Sequence, residues 1–150
     1  MTKRLFDIGF AAGALILSSV LWLPIALWIK LADGGPVFYR AMRVGRHGKL
    51  FKMFKFRSMI VNADRVGGPS AAADDARITR CGRFLRKHKL DELPQLINVL
   101  RGEMSIVGPR PEVPDYVAMF SAAERAILSV RPGITDWASL WNSDEGAVLA

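Results

Sequence analysis

The chain has 150 residues, a formal net charge of +7, one cysteine and two histidines, which is the length of one compact domain with an appendage. The lone Cys81 excludes an intrachain disulfide and favours a reducing, cytoplasmic setting. His47 and His88 lie far from Cys81 and from each other in sequence, so the composition gives no support for a zinc cluster.

Positive charge is concentrated between residues 30 and 58, where eight lysine or arginine residues accompany one acid, Asp33. Basic and acidic residues balance outside this window. A local basic field attracts polyanions, and composition leaves nucleic acid, anionic lipid headgroups and phosphorylated substrates open as alternatives.

The first predicted element is an apolar helix. Residues 8–29 are 22 consecutive residues without a charge, and about 20 such residues cross the hydrocarbon of a bilayer. The alternative is a cleaved signal peptide, since Lys3 and Arg4 precede the run. The length of the run, and the absence of a small-residue cleavage pattern at its end, favour a membrane-embedded helix over that alternative.

Pro24 predicts a kink or break in this helix near residues 20–23, because proline removes one backbone donor and clashes with the carbonyl of Val20. Ser18 and Ser19 precede it by about one turn, where a hydroxyl can help satisfy a disrupted backbone. Basic residues flank both ends of the helix, and the positive-inside rule assigns each flank to the cytoplasm. These flanks favour a re-entrant helix, with a kinked crossing helix as the alternative.

A β-hairpin is predicted from two aromatic and aliphatic segments, residues 37–44 and 50–56, around a glycine-rich turn. Residues 62–76 lack amphipathic spacing and predict a mobile loop next to the site. Residues 78–89 predict a short basic helix, on which Arg80, Arg83 and Lys87 form one cationic stripe.

Asp91 and Glu92 are predicted at a helix start, with Asp91 as the N-cap, Pro94 in the first turn and Gly102 as the stop. A short strand over residues 104–107 then leads to Arg110, which lies between two prolines. A capping box at residues 121–124 predicts a helix to residue 130, and residues 131–135 predict a turn.

The acidic pair and its basic neighbours suggest phosphoryl chemistry. A helix start favours an ionised Asp91 and a docked phosphate, and an ionised carboxylate can attack phosphorus. Arg86 and Arg110 supply guanidinium groups that match phosphate geometry, and adjacent carboxylates can hold Mg²⁺. The plainer alternative is that Asp91 only caps the helix, Glu92 only complements its dipole, and Arg110 only forms a turn.

Six motifs, in order from residue 3 to residue 135, together resemble the bacterial sugar transferases, which are small monotopic phosphoglycosyl transferases. They are KRLFD (3–7), PVFYR (36–40), FKFRSM (54–59), LDELPQLINVL (90–100), SIVGPRP (105–111) and RPGIT (131–135). The chain departs from the common family pattern at Leu23, where serine is usual, and at Asp136, where glycine is frequent. It also ends at Ala150, earlier than we expect for the family.

The resemblance implies transfer of a sugar 1-phosphate from a UDP-sugar to polyprenol phosphate, with Mg²⁺ and loss of UMP, at the start of exopolysaccharide or other surface glycan synthesis. It implies that Asp91 attacks the sugar-bearing phosphorus to form a covalent intermediate and that Glu92 completes the acidic pair, with both as metal ligands. Phosphate binding is assigned to four cations, Lys55, Arg57, Arg86 and Arg110. Pro24 is expected to make the membrane helix re-entrant.

The predicted fold is therefore α+β and mainly helical, with a re-entrant membrane segment (1–32) and a cytoplasmic, interfacial catalytic domain (33–150) that contains a β-hairpin and short helices. We expect the protein at the cytoplasmic face of the bacterial inner membrane, in contact with membrane lipids and not with nucleic acid; a homodimer is left open. The alternative function is a non-catalytic, membrane-anchored protein whose basic window binds polyanions.

Overall fold

The computed structural model describes residues 2–67 and 75–136. The regular elements within those ranges follow in chain order: α1 (Thr2–Asp33), β1 (Phe38–Val44), β2 (Leu50–Phe56), α2 (Ala63–Val66), α3 (Arg80–Lys87), α4 (Gln95–Arg101), β3 (Ser105–Val107), α5 (Pro114–Ala118) and β4 (Gly133–Thr135), with 3₁₀ turns at Arg46–Gly48, Leu90–Glu92 and Glu124–Ser129. The mixed class, the apolar N-terminal helix and the β-hairpin are confirmed. Part of the predicted loop 62–76, residues 68–74, lies outside the described residues.

Helix α1 runs through Pro24 without interruption. Its mean hydropathy reaches 2.1, so it is long and apolar enough to cross a membrane. Residues on both sides of Pro24, including Trp22 and Ile25, pack into one core cluster. A kink of the helix at Pro24 stays a prediction. The hydroxyls of Ser18 and Ser19 donate to carbonyls three residues back, an arrangement that often bends a helix.

One face of α1 packs on the rest of the molecule along most of its length. Ala11 is fully buried in a cluster with Met53, Val99 and Met104, and Ile29 is buried in a second cluster near the other end. The opposite face is apolar and mostly exposed, with side chains at least two-thirds exposed at Leu5, Ile16, Leu17, Val20, Leu23 and Leu31. An apolar face of this size that no residue of the described chain covers fits contact with lipid.

The hairpin is an antiparallel pair in which Ala41 lies opposite Met53. It is fixed to α4 by Asn98, whose side chain is fully buried. The Asn98 amide nitrogen donates to the Lys52 carbonyl at 2.9 Å, and its oxygen accepts from the Phe54 amide at 2.9 Å. These two bonds join strand β2, which carries Lys55, to helix α4, which follows the turn with Asp91 and Glu92.

The C-terminal part differs from the prediction. Residues Gly133–Thr135 form β4, parallel to β3, where a turn was predicted, and α5 was missed. The capping box between Ser121 and Glu124 is present, but it precedes a 3₁₀ turn and not an α-helix. The carboxyl ends of parallel strands share an edge. The segment after β3 is therefore joined to β4, with the Gly108 amide donating to the Thr135 carbonyl at 3.0 Å and the Gly133 amide to the Pro109 carbonyl at 2.9 Å.

Candidate active site

The acidic pair lies in the 3₁₀ turn Leu90–Glu92, which follows Lys89 in the left-handed backbone region (φ 54°). Helix α4 begins at Gln95, and its N-cap residue is Pro94, which makes no side-chain cap. The prediction that Asp91 is an N-cap is therefore wrong: the extra turn places its carboxylate before the helix and away from the first-turn amides. The Asp91 side chain is instead buried, with its residue only 6% exposed.

Burial raises the pKa of Asp91 above its ordinary value, and the neighbouring Glu92 adds to this, whereas Lys55 and Arg86 act in the opposite direction. In the part of the chain that the structure describes, no other side chain donates a hydrogen bond to this carboxylate. Lys55, Arg86 and a hydrogen bond from the backbone amide of Asp91 itself favour the ionised form against the larger effect of burial on the pKa. A desolvated carboxylate that no cation holds by a hydrogen bond is a stronger nucleophile than a solvated one.

Glu92 is held by a cation. The Lys55 ammonium donates to Glu92 Oε1 at 2.7 Å, and both side chains are one-fifth exposed. Burial acts to raise the pKa of Glu92, but Lys55, with Arg110 and Lys89, outweighs it and leaves the pKa below its ordinary value. The two adjacent carboxylates therefore differ: Glu92 is fixed and anionic, and Asp91 is not hydrogen-bonded to a cation.

Arg86 reaches the site because α3 lies very close to the end of the hairpin. A Cβ atom at Gly82 would lie 1.8 Å from the Ser58 carbonyl oxygen, so only glycine fits there. Arg86 Nε then donates to Ser58 Oγ at 2.9 Å. Burial lowers the pKa of Arg86, and Asp91 counteracts this, so the guanidinium remains charged beside the carboxylate.

One open cleft of about 1780 Å³ lies between α3, the hairpin and the segment after β3. Five of the predicted site residues line it together: Lys55, Arg86, Asp91, Glu92 and Arg110. A cleft of this volume, lined by cations around two carboxylates, can hold a phosphorylated substrate larger than a simple sugar phosphate.

Arg57 also borders the cleft, but its guanidinium is bound by protein acceptors. It forms a bidentate ion pair with Asp33 at the end of α1 and donates to the Pro36 carbonyl at 2.6 Å. This geometry fixes α1 to the end of β2. Direct binding of phosphate by Arg57 stays a prediction, and the contacts indicate a positioning role.

No cluster of three or more histidine, cysteine or acidic side chains capable of holding a metal occurs within residues 2–67 and 75–136. Mg²⁺ commonly uses one or two carboxylates and completes its shell with water and substrate phosphates. The carboxylates of Asp91 and Glu92 border the cleft together and are hard oxygen donors, so this pair fits the predicted ion.

Sequence reasoning missed Asp7. This acid in the first turns of α1 is 3% exposed and accepts from Ser105 Oγ at 2.9 Å and from the Ile106 amide at 3.1 Å. Lys3 contacts Asp7 and Ser105 and donates to the Val107 carbonyl at 3.1 Å. The network fixes the start of α1 to β3, the strand that precedes Arg110.

A model of the bacterial sugar transferase family matches residues 1–147, nearly the entire chain. The chain belongs to the bacterial sugar transferase family. The membership predicted from the six motifs is thereby confirmed.

Several curated relatives are similar over most of this chain. The exopolysaccharide production protein ExoY of Sinorhizobium fredii is 45% identical in an alignment of length 138 that covers 82% of this chain and 61% of that protein. The undecaprenyl-phosphate galactose phosphotransferase of Salmonella typhimurium is 51% identical in an alignment of length 129 that covers 75% of this chain and 27% of that protein.

The UDP-glucose:undecaprenyl-phosphate glucose-1-phosphate transferase of Escherichia coli is 50% identical over 111 residues, 74% of this chain and 24% of that protein. The match thus covers about three fifths of the Sinorhizobium protein and about a quarter of the other two.

Proposed function

We propose that this protein transfers a sugar 1-phosphate from a UDP-sugar to polyprenol phosphate in two displacements at phosphorus. An Asp91 carboxylate oxygen attacks the sugar-bearing phosphorus, and the phosphoanhydride bond breaks to release UMP. A phosphate oxygen of the lipid then attacks the same phosphorus, the bond to Asp91 breaks, and the products are a polyprenol diphosphate sugar and the regenerated carboxylate. Relatives whose names give undecaprenyl phosphate as a substrate support both ends of this reaction.

The observation that carries the proposal is the contrast between the two acids. Asp91 is buried at the cleft without a hydrogen-bonded cation, so its oxygen can approach phosphorus. Glu92 is fixed by Lys55 and keeps its charge, so it is the poorer nucleophile and the better permanent anion. On the basis of these different surroundings we assign the attack on phosphorus to Asp91 and a supporting role to Glu92.

Cations around the acids can neutralise the phosphoryl oxygens during transfer. Arg86 and Arg110 border the cleft, and both act electrostatically on the acidic pair. We assign them to the two phosphates of the nucleotide sugar. Mg²⁺, when bound near Asp91 and Glu92, supplies further neutralisation of the diphosphate.

The contacts of α1 support a re-entrant path. Asp7 near its start and Asp33 at its end both bind the same domain, and the 26 residue steps from Asp7 to Asp33 span about 39 Å along a straight helix. A helix that crossed the roughly 30 Å of hydrocarbon would draw that domain, with its charged hairpin, into the bilayer. If both ends of α1 lie on the same side of the bilayer, the charged domain stays out of the hydrocarbon. We assign that side to the cytoplasmic face of the bacterial inner membrane.

Cysteine labelling tests this topology. Because Cys81 is only 1% exposed, a Thr2→Cys variant has a low labelling background. A membrane-impermeant maleimide added to intact cells should leave it unlabelled and should label it after lysis. Labelling of intact cells would establish a crossing helix.

The chemistry is tested by UMP release. Purified protein with UDP-sugars, Mg²⁺ and undecaprenyl phosphate should release UMP and form the lipid diphosphate sugar. Asp91→Asn should abolish both products, whereas Asp115→Asn, an equal change at an exposed acid of α5, should keep them. Full turnover by Asp91→Asn would reject the assignment, and a panel of UDP-sugars would identify the donor.

A further inference from the structure

Helix α3 joins the lipid-facing surface of α1 to the cleft. Its buried face, with Cys81 and Leu85, packs on α1. On an adjacent flank, Phe84 contacts Trp28 of α1 with ring centroids 5.5 Å apart, and these rings are 45% and 43% exposed. Exposed aromatic rings next to an apolar helix are typical of the membrane–water interface, so this flank of α3 lies at the bilayer surface.

A row of basic side chains lies on α3 between Phe84 and the cleft that contains Asp91. Successive helix residues are about 100° apart, so Lys87, Arg83 and Arg86 follow Phe84 in that order around α3. All three border the cleft, as does Lys89 just beyond the helix. The last cation in this order, Arg86, is the one that acts electrostatically on Asp91.

The outer cations are available to a ligand. In the described ranges, the exposed side chains of Arg83, Lys87 and Lys89 make no hydrogen bond or ion pair with the protein. Lys55 and Arg57, by contrast, are each held by a carboxylate. Arg80 has the same charge and exposure as Arg83, but it lies one turn earlier and does not border the cleft.

We propose that Lys87 and Arg83 form the entry site for the lipid acceptor, an inference that rests on the proposed function. They take the phosphate monoester of a polyprenol phosphate at the bilayer surface and deliver it to Arg86 beside Asp91. A monoester carries about −1.5 to −2 charges at neutral pH, and a phosphodiester headgroup carries one, so closely spaced cations favour the acceptor over bulk phospholipid. The polyprenol chain stays in the bilayer next to Trp28 and Phe84.

The test uses an Arg83→Gln/Lys87→Gln variant of the full chain, in phosphatidylcholine vesicles that contain undecaprenyl phosphate, at vesicle concentrations that bind all the protein. The KM for the acceptor should rise about tenfold or more, because each surface cation near an anionic lipid contributes roughly a fivefold effect. The KM for the UDP-sugar should change much less. Arg80→Gln, the matched control, should keep both values.

Each outcome decides the proposal. An acceptor KM equal to that of the wild type would show that the cations are only a solvated helix face and would overturn it, while UMP release without lipid would leave the proposed function standing. If the difference between variant and wild type disappears when phosphatidylglycerol is added, the cations serve any anionic headgroup and the assignment to the acceptor fails. Absence of UMP release by the wild type would reject the proposed function, and this inference with it.

Discussion

Replacing Lys55 by methionine removes the cation that holds Glu92. The ammonium lies 2.7 Å from the carboxylate, and both side chains are only 20% exposed, so solvent screens the pair weakly. A hydrogen bond to a charged group contributes about 1.5–3 kcal/mol to stability, and its loss leaves a buried carboxylate without its partner. We expect Lys55→Met to lower the free energy of unfolding by about 2 kcal/mol at pH 7.

The effect should depend on pH with a defined sign. Lys55 lowers the pKa of Glu92 against the opposing effect of burial. A carboxylate with a depressed folded-state pKa stabilises the protein above its unfolded pKa and loses that contribution as the pH falls through the folded value. The cost of Lys55→Met should therefore be full at pH 7 and shrink below the unfolded-state pKa of glutamate, about 4.3.

Urea unfolding in detergent micelles, followed by tryptophan fluorescence, measures this cost at each pH. Lys52→Met is the matched control, because Lys52 is on the same strand, is exposed and has the same charge. The control should change the free energy of unfolding by less than about 0.5 kcal/mol. Equal costs for both variants, or a cost for Lys55→Met that does not vary with pH, would refute the role assigned to the pair.

Three further predictions follow from the packing and the acidic pair. Gly82→Ala should lower the free energy of unfolding by about 1–3 kcal/mol in the same urea assay, since its Cβ would meet the Ser58 carbonyl, whereas Gly9→Ala, with open space around it, should be neutral. Asn98→Leu should cost about 3 kcal/mol, because it leaves the Lys52 carbonyl and the Phe54 amide unpaired; a neutral result would contradict the clamp between α4 and β2. Chelation of Mg²⁺ should lower UMP release on the order of a hundredfold, with full recovery on adding Mg²⁺, and unchanged release would exclude the ion from the reaction.

The elements with strong local signals were predicted correctly. Both strands of the hairpin are rich in aromatic and aliphatic residues, and Phe38–Val44 and Leu50–Phe56 lie within one residue of the predicted ranges. Helix α4 ends at Arg101, and its C-cap residue Gly102 has φ 82°, as expected of a helix stop. In these segments local propensity and tertiary packing favour the same conformation, so sequence alone is sufficient.

The features that were missed or wrong depend on distant residues. β4 has three residues and exists because β3 offers a parallel partner, so its sequence reads only as a turn. Asp7 is bound by Ser105, 98 residues away, and nothing in its own helix indicates that contact. Pro24 was expected to kink or break α1; the helix continues through it with tertiary packing on both sides, and a kink there stays a prediction.

The motifs pointed to cations and acids that border one cleft in the structure, and their roles in the reaction stay predictions. The 3₁₀ turn that buries Asp91 and the ion pairs that engage Arg57 and Lys55 arise from the folded arrangement. Spacing along the chain cannot distinguish a buried carboxylate from a solvated one. Burial and the partner of each charge decide which acid can attack.

In the proposed reaction, Asp91 carries the phosphosugar between the two displacements. Protein incubated with its UDP-sugar and Mg²⁺ but no lipid, then digested and analysed by mass spectrometry, should show one phosphosugar on the peptide that contains residue 91, and fragmentation should place it on that aspartate. Addition of undecaprenyl phosphate should remove it. A phosphosugar on Glu92, or UMP release with no modified peptide under conditions that preserve acyl phosphates, would contradict the account.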